Sequence, residues 1–288
     1  TTLGVVVQAV ILIPVLLRSG YMWTPRFDWR DSGLGKAGRL AAWTVALVLV
    51  NQVTYVFIMR LAAQANVNAA NSDMVAAGIT TYQKAHQVFM LPHSVITISI
   101  VTALLPTLSR IAHSGLLSDV GHEVAKAMRV VAVLIVPIAA ILAVNGAAIS
   151  VLLFGYGAAL PQQAAVMGVI VTVFMTGLPA FTLLYVLLRG FYALEDTRTP
   201  FFVTVAFRVV MLALAFPHVD AMSGGGTQVA ALALAYSLAY WVGLVIAWIL
   251  LARRLGSLES GRTVWALVRT LLAGGLAAAA MVVAPAAG

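Results

Sequence analysis

Arg60, Lys84 and Arg208 stand within apolar runs of a 288-residue chain that is 62% hydrophobic and 9% charged. A charged side chain at the centre of a membrane helix costs on the order of 2.5 to 3.5 kcal/mol on insertion scales, so each of these cations needs a reason. Arg208 is the sharpest case. It lies eight residues beyond Pro200, roughly 12 Å along a helix and close to mid-bilayer. No Asp or Glu occurs inside any apolar span, so no acid within the spans neutralises it. The chemistry that remains is reception of an anion in a water-filled, positively charged cavity. Arg60 and Lys84 fall near the outward ends of consecutive antiparallel spans. Snorkelling to the outer headgroups accounts for Arg60 more simply; for Lys84 that account and the cavity stand level.

Polar residues cluster around these cations. Gln83, His86, His93 and Thr97 share one helix face, interrupted by Met90, with Lys84 and Gln87 as an adjacent strip. Such a face lines a bundle interior rather than lipid. Asn51 and Gln52, mid-span in the preceding helix, offer hydrogen bonds to a phosphate or sugar, or simply to other helices. His86 and His93, seven residues apart, do not match a zinc spacing and read as interior histidines. The chain has no cysteine, no P-loop and no G-x-S-x-G, and its adjacent Glu195 and Asp196 diverge by about 100° on a helix. No enzyme, metal or cofactor is expected. The run "SGGGT", Ser223 to Thr227, reads as an external turn.

The elements that must position these residues are membrane helices. A mean hydropathy of +1.02 and so few charges leave an outer surface that only lipid satisfies. Eight apolar stretches can be drawn, about 1–17, 41–62, 78–108, 127–153, 164–188, 201–217, 228–251 and 263–284. The third is too long for a straight span and must tilt, protrude or bend, with Pro92 and Pro106 where bends are expected. Pro137 and Pro179 also interrupt spans, in the manner of broken transporter helices. "VFMLP" and "VFMTGLP" echo one another faintly, which leaves an internal repeat open.

Net charge is +8, yet the cations alternate by loop instead of forming a nucleic-acid platform. Thirteen of the seventeen lie in residues 18–39, 110–129, 189–198 and 253–262, whereas 63–77, 154–163 and 218–227 contain none, although Asp73 and Asp220 fall there. The four basic loops are therefore assigned to the cytoplasm, and both ends of the sequence face outward. Thr1 opens inside an apolar run with no basic segment ahead of it, so no signal peptide is read and the chain looks like part of something longer. "RGFYALEDTRTP", Arg189 to Pro200, is then a cytoplasmic hairpin: Arg189 ends one span, Thr199 caps the next helix, and Pro200 occupies its first turn.

Two segments, "LPHSVITISIVTALLPTLSR" (Leu91 to Arg110) and "LLRGFYALEDTRTP" (Leu187 to Pro200), resemble the MurJ/MviN family. These are the lipid II flippases of the multidrug/oligosaccharidyl-lipid/polysaccharide exporter superfamily, and the likeness extends through the spacing of all the spans. The resemblance implies an all-α, polytopic membrane bundle of about eight helices, one lobe of a two-lobe transporter. Family members have fourteen helices, in two six-helix lobes and a final pair that forms a groove for the lipid tail. On that pattern residues 1–39 are the end of a first-lobe helix and a cytoplasmic linker, 40–254 a six-helix second lobe, and 255–288 one helix of the final pair. The first lobe would be a missing partner of the same protein.

The implied function is movement of lipid II, or a related polyprenyl diphosphate-linked sugar, from inner to outer leaflet of the bacterial inner membrane by alternating access. The candidate contacts to the passenger are the residues read above, Arg208, Lys84, Gln87, Asn51, Gln52 and Arg60; the resemblance of "FYALEDTRTP" implies a cytoplasmic gate hinge at Arg189, Asp196 and Pro200, with Pro92 as a further hinge candidate. An acid and an arginine usually precede the first proline of the family's eighth helix by six and five residues. Here His86 and Gln87 stand there, so that arginine is not carried over and Lys84 is left as a replacement charge. Arginine outnumbers lysine fourteen to three, which implies a GC-rich, actinobacterial type of source. Rival readings are an exporter of drugs or other lipid-linked glycans, and a non-transporting scaffold whose loop "SGYMWTPRFDWRDSGLGKAGR" recruits cytoplasmic partners. A sealed bundle would favour the scaffold, and an anionic cavity a cationic drug.

Overall fold

The structure, a computed structural model, describes residues 2–20, 34–70, 75, 77–156, 161–221 and 225–283. In chain order its helices are α1 (Thr2–Arg18), α2 (Leu34–Ala70), α3 (Ile79–Pro92), a π-helical turn (His93–Thr97) and α4 (Ile98–His113). They continue with α5 (Leu117–Val144), α6 (Gly146–Phe154), α7 (Pro161–Ala193), α8 (Arg198–Ala221), α9 (Gly226–Leu255) and α10 (Ser260–Val283). No strand occurs among the described residues. Among the described residues, seven helical segments are long and apolar enough to cross a membrane, from Gly38–Ala70 to Ser260–Met281. α1 is apolar and 17 residues long.

The chain forms two compact units. Thr1–Arg39 contains α1 and the first residues of α2; Leu40–Gly288 contains the rest. Within the second unit α7 is the central helix, packed against α9, α5, α6 and α3, while α10 lies on α5. Lipid tails are as apolar as leucine, so helices associate there by close packing rather than by expulsion of water. Gly177 shows how: a Cβ added to it would sit 2.7 Å from Ser237 Cα on α9. Next to it, Ser237 Oγ donates to the Val173 carbonyl of α7 at 3.1 Å.

α2 meets its neighbours through side chains. Trp43 packs on Phe201 and Phe202 of α8, with ring centroids 5.1 and 5.7 Å away, and Phe57 faces Phe216 at 6.5 Å. Further along, the Gly225 amide bonds the Ala65 carbonyl at 3.1 Å.

Of two departures from α-helix within the third and fourth stretches, one adjoins a proline. The overlong third stretch runs from Ile79 to His113 and does depart from α-geometry immediately after Pro92, in the π turn. α4, α5 and α7 continue as α-helix through Pro106, Pro137 and Pro179. The break in the fourth stretch falls instead at Asn145, between α5 and α6. There a Cβ on Gly146 would lie 2.5 Å from Thr172 Oγ1 and 2.7 Å from the Gly168 carbonyl, and Thr172 donates to the Ala143 carbonyl at 2.7 Å. The break coincides with the dipeptide Asn145-Gly146, itself a turn signal, and with the close approach of α7.

The α7–α8 turn is a Schellman motif: the Asp196 amide bonds the Phe191 carbonyl at 3.0 Å and the Glu195 amide bonds Tyr192 at 3.0 Å. Glu195 takes the left-handed conformation, φ 55°. Asp196, not Thr199, caps α8. Its carboxylate accepts from the Thr199 amide at 3.0 Å and from the Thr199 hydroxyl at 2.6 Å, and it pairs with Arg254 of α9. Pro200 lies in the first turn, as expected. Asp73, Ser223, Gly224 and residues 21–33 lie outside the described residues, and with them the expectations for most of the basic loop and the first half of "SGGGT"; its last two residues open α9.

Candidate functional site

Between α2, α3, α7, α8 and α9 lies a cavity of about 680 Å³. Asn51, Gln52 and Tyr55 face it from α2, while Gln83, His86, Gln87 and Met90 face it from α3. These α3 residues follow helical spacing, so this part of the polar face read from the sequence lines an open cavity, with Gln83 and Gln87 exposed in it. Its far end behaves differently. His93 and Thr97 are buried in the π turn, and His93 sits against Phe181 and Tyr185 with centroids 4.6 and 4.8 Å away.

Arg208, from the middle of α8, forms the cationic wall. Its Nε and Nη2 donate to Asn51 Oδ1 at 3.2 and 3.0 Å, and Nη2 also donates to the Tyr240 hydroxyl at 3.3 Å. The guanidinium lies 5.1 Å from the centroid of Phe207 and 5.7 Å from that of Tyr240. Every one of these partners is neutral. The described lining holds no Asp or Glu. Hydrogen bonds and ring faces hold the guanidinium in place without cancelling its charge. Behind it, Tyr236, Tyr240, Phe174 and Phe89 pack with His86 in an aromatic lattice, and His86 Nε2 lies 3.3 Å from the Tyr236 hydroxyl.

The structure thus brings together four of the six residues marked for the passenger: Arg208, Asn51, Gln52 and Gln87. It does not bring Lys84 to them. Although only about 60° around the helix from Gln87, Lys84 lines a separate pocket beside Phe154. Arg60 is exposed on α2 and lines neither space. Tyr82, Tyr236, Tyr240 and Met211 complete the cavity wall and were not singled out. Tyr236 and Tyr240 recur at helical spacing, a signal that core packing produces equally well, and Tyr82 and Met211 carry no distinguishing signal. Arg269, a further cation within a span, was also passed over; it is exposed on α10.

The residues marked for the gate lie on two elements. Pro92 is buried where α3 meets the π turn. Arg189 near the end of α7 lies over Tyr185, 4.4 Å from its centroid, and donates to its hydroxyl. Asp196 and Pro200 belong to the α7–α8 turn already described.

With this geometry in hand, the chain can be compared with known proteins. A family model described as lipid II flippase MurJ matches residues 1–287. A probable lipid II flippase MurJ of Rhizobium meliloti (strain 1021) is 34% identical over 159 residues, covering 54% of this chain and 29% of the relative. One from Rhizobium tropici is 30% identical over 203 residues, covering 69% and 36%. One from Thermotoga maritima is 26% identical over 244 residues, covering 85% and 46%. The chain therefore spans less than half the length of these relatives. Among solved structures, a lipid II flippase MurJ in an inward closed conformation superposes with a TM-score of 0.64 at 17% identity, over 87% of this chain and 50% of that one. That likeness establishes the fold.

Proposed function

This chain belongs to the lipid II flippase MurJ family, and we propose that its Arg208 cavity receives the diphosphate of lipid II as the passenger crosses from inner to outer leaflet by alternating access. The single observation that carries the reading is the guanidinium of Arg208, held midway along α8 by a carboxamide and a phenol, with no carboxylate in the described lining. A charge kept in that setting is ready to be neutralised by an incoming anion. A cavity of this size argues for passage rather than scaffolding, and its positive wall argues against a cationic drug. Gln52 and Gln87 offer amide hydrogen bonds to phosphate or sugar. The step is transport, with no bond made or broken in the passenger.

Direction follows from charge. Each negative charge leaving a cell that is negative inside gains about 2.3 kcal/mol per 100 mV. The π turn after Pro92 and the Asp196-capped α7–α8 turn are the elements on which the cytoplasmic gate would hinge, because each is a departure from regular helix next to the cavity helices. In the intact protein, Arg208→Ala should lower outward movement of lipid II in vesicles on the order of thirtyfold, the loss expected for truncating one member of a buried charge-assisted contact. Insertion and thermal stability should be retained. Unchanged transport removes Arg208 from the mechanism.

A further inference from the structure

Lys84, left out of the Arg208 cavity, lines a second pocket of about 440 Å³. The two spaces follow one another along α2: Asn51 belongs to the first and Asn66 to the second, about 22 Å further along the helix. Gln83 stands between them, donating to the Tyr55 hydroxyl at 2.9 Å and to Met59 Sδ at 3.7 Å. One side of the second pocket is apolar, with Met167 and Phe154, and the Lys84 ammonium lies 5.3 Å from the Phe154 ring centroid. The other side offers the Thr80 and Thr81 hydroxyls and the Asn66 and Gln163 amides. Neither Lys84 nor any of these four is engaged in a hydrogen bond or ion pair with another described residue. The described lining contains no Asp or Glu.

We propose that this pocket is a second anion site, built for a phosphate-bearing headgroup where it joins hydrocarbon. The donors outnumber what a planar carboxylate can accept, whereas a phosphoryl group presents several oxygens in a tetrahedron. The volume exceeds a bare phosphate, and the apolar wall suits the adjoining chain. A lysine that merely snorkels into bulk headgroups requires neither a concave pocket nor converging uncommitted donors. The site rests on the flippase reading only for which phosphate reaches it; the shared chemistry is the phosphoryl oxyanion. For the passenger, it lies at the end of α2 and α3 next to the loop without Lys or Arg, where a headgroup leaving the Arg208 cavity would next arrive.

This sequence has no cysteine, so once any cysteine outside it is replaced a trifluoromethyl tag can be placed in either space. Ala63→Cys labels the second pocket and Val48→Cys the Arg208 cavity. Pyrophosphate titrated into the intact detergent-solubilised protein should give a saturable fluorine shift at the Ala63 tag. Lys84→Gln should weaken it about tenfold, the loss of one charge-assisted contact. Lys84→Arg should retain it, and Arg208→Gln should leave it unmoved. No saturable shift at the Ala63 tag, or one indifferent to Lys84→Gln, overturns the second site. A silent Val48 tag counts instead against the Arg208 reading, so the two failures are separable. In nanodiscs of zwitterionic lipid, response to added polyprenyl diphosphate alone assigns the site to the passenger. Response to phosphatidylglycerol assigns it to bulk lipid headgroups.

Discussion

Asn51 holds Arg208 through one oxygen that accepts from both Nε and Nη2, and the choice of a carboxamide there keeps the site positive. Asn51→Asp would leave an oxygen in the same place with nearly the same shape, but would supply the missing counter-charge. It should therefore depress uptake of an anionic passenger about as strongly as Arg208→Ala. Asn51→Ala, which removes only the positioning contact, should cost less, by roughly tenfold in transport rather than more. If Asn51→Asp transports as well as Asn51→Ala, net charge in the cavity is not what matters. Each partner was visible in the sequence as a polar residue in an apolar run. Their pairing was not, because 157 positions separate them and hydropathy carries no information about which helices are neighbours. Lys84 shows the same limit from the other side. The register of α3 made it adjacent to the polar strip, yet the packing of α6 and α7 gave it a pocket of its own.

Helices as elements were legible because lipid forces every span to satisfy its own backbone, so hydropathy alone marks where they run. Their irregularities were legible only where the cause is local. Pro92 carries its own cause and adjoins the π turn. The division at Asn145 falls on an Asn-Gly pair, a local turn signal that proline placement does not capture, and it packs against Thr172 and Gly168 on a helix further along the chain. The same contact predicts a sharp difference between two substitutions. Gly146→Ala forces a methyl to within 2.5 Å of Thr172 Oγ1 and should destabilise the second unit by about 1 to 3 kcal/mol, the usual cost of overpacking. Gly275→Ala on α10 meets nothing within 4 Å and should be neutral or slightly stabilising through helix propensity. Thermal unfolding of both in detergent checks this, and equal midpoints would mean that α7 does not constrain the break.

Across the molecule, the Lys and Arg pattern that assigned the basic loops to one side also concentrates the ion pairs there. Asp196 ties the α7–α8 turn to Arg254 on α9. Glu259, just before α10, accepts from His122 Nδ1 and Arg129 Nη1 of α5 at 2.7 Å each. These contacts fasten connections between helices rather than the helices themselves. Burial raises the Asp196 pKa, but the two Thr199 hydrogen bonds and Arg254 more than offset it and hold the group below its ordinary 3.8. The His122 and Arg129 hydrogen bonds hold Glu259 below its ordinary 4.5. A carboxylate depressed in the folded state binds fewer protons there than when unfolded. Its contribution is whole above the ordinary value and is lost as pH falls through the lower, folded value. These two carboxylates should therefore add nothing to the pH dependence of the melting temperature above about pH 5.5 and should steepen its fall below about pH 4.5. The double variant Asp196→Asn, Glu259→Gln should melt lower than the parent at pH 7, and the gap should narrow progressively as pH falls below about 4.5. If the gap between them stays constant over that interval, ionisation of these carboxylates is not what fastens the basic side of the bundle, and the loss at neutral pH belongs to packing alone.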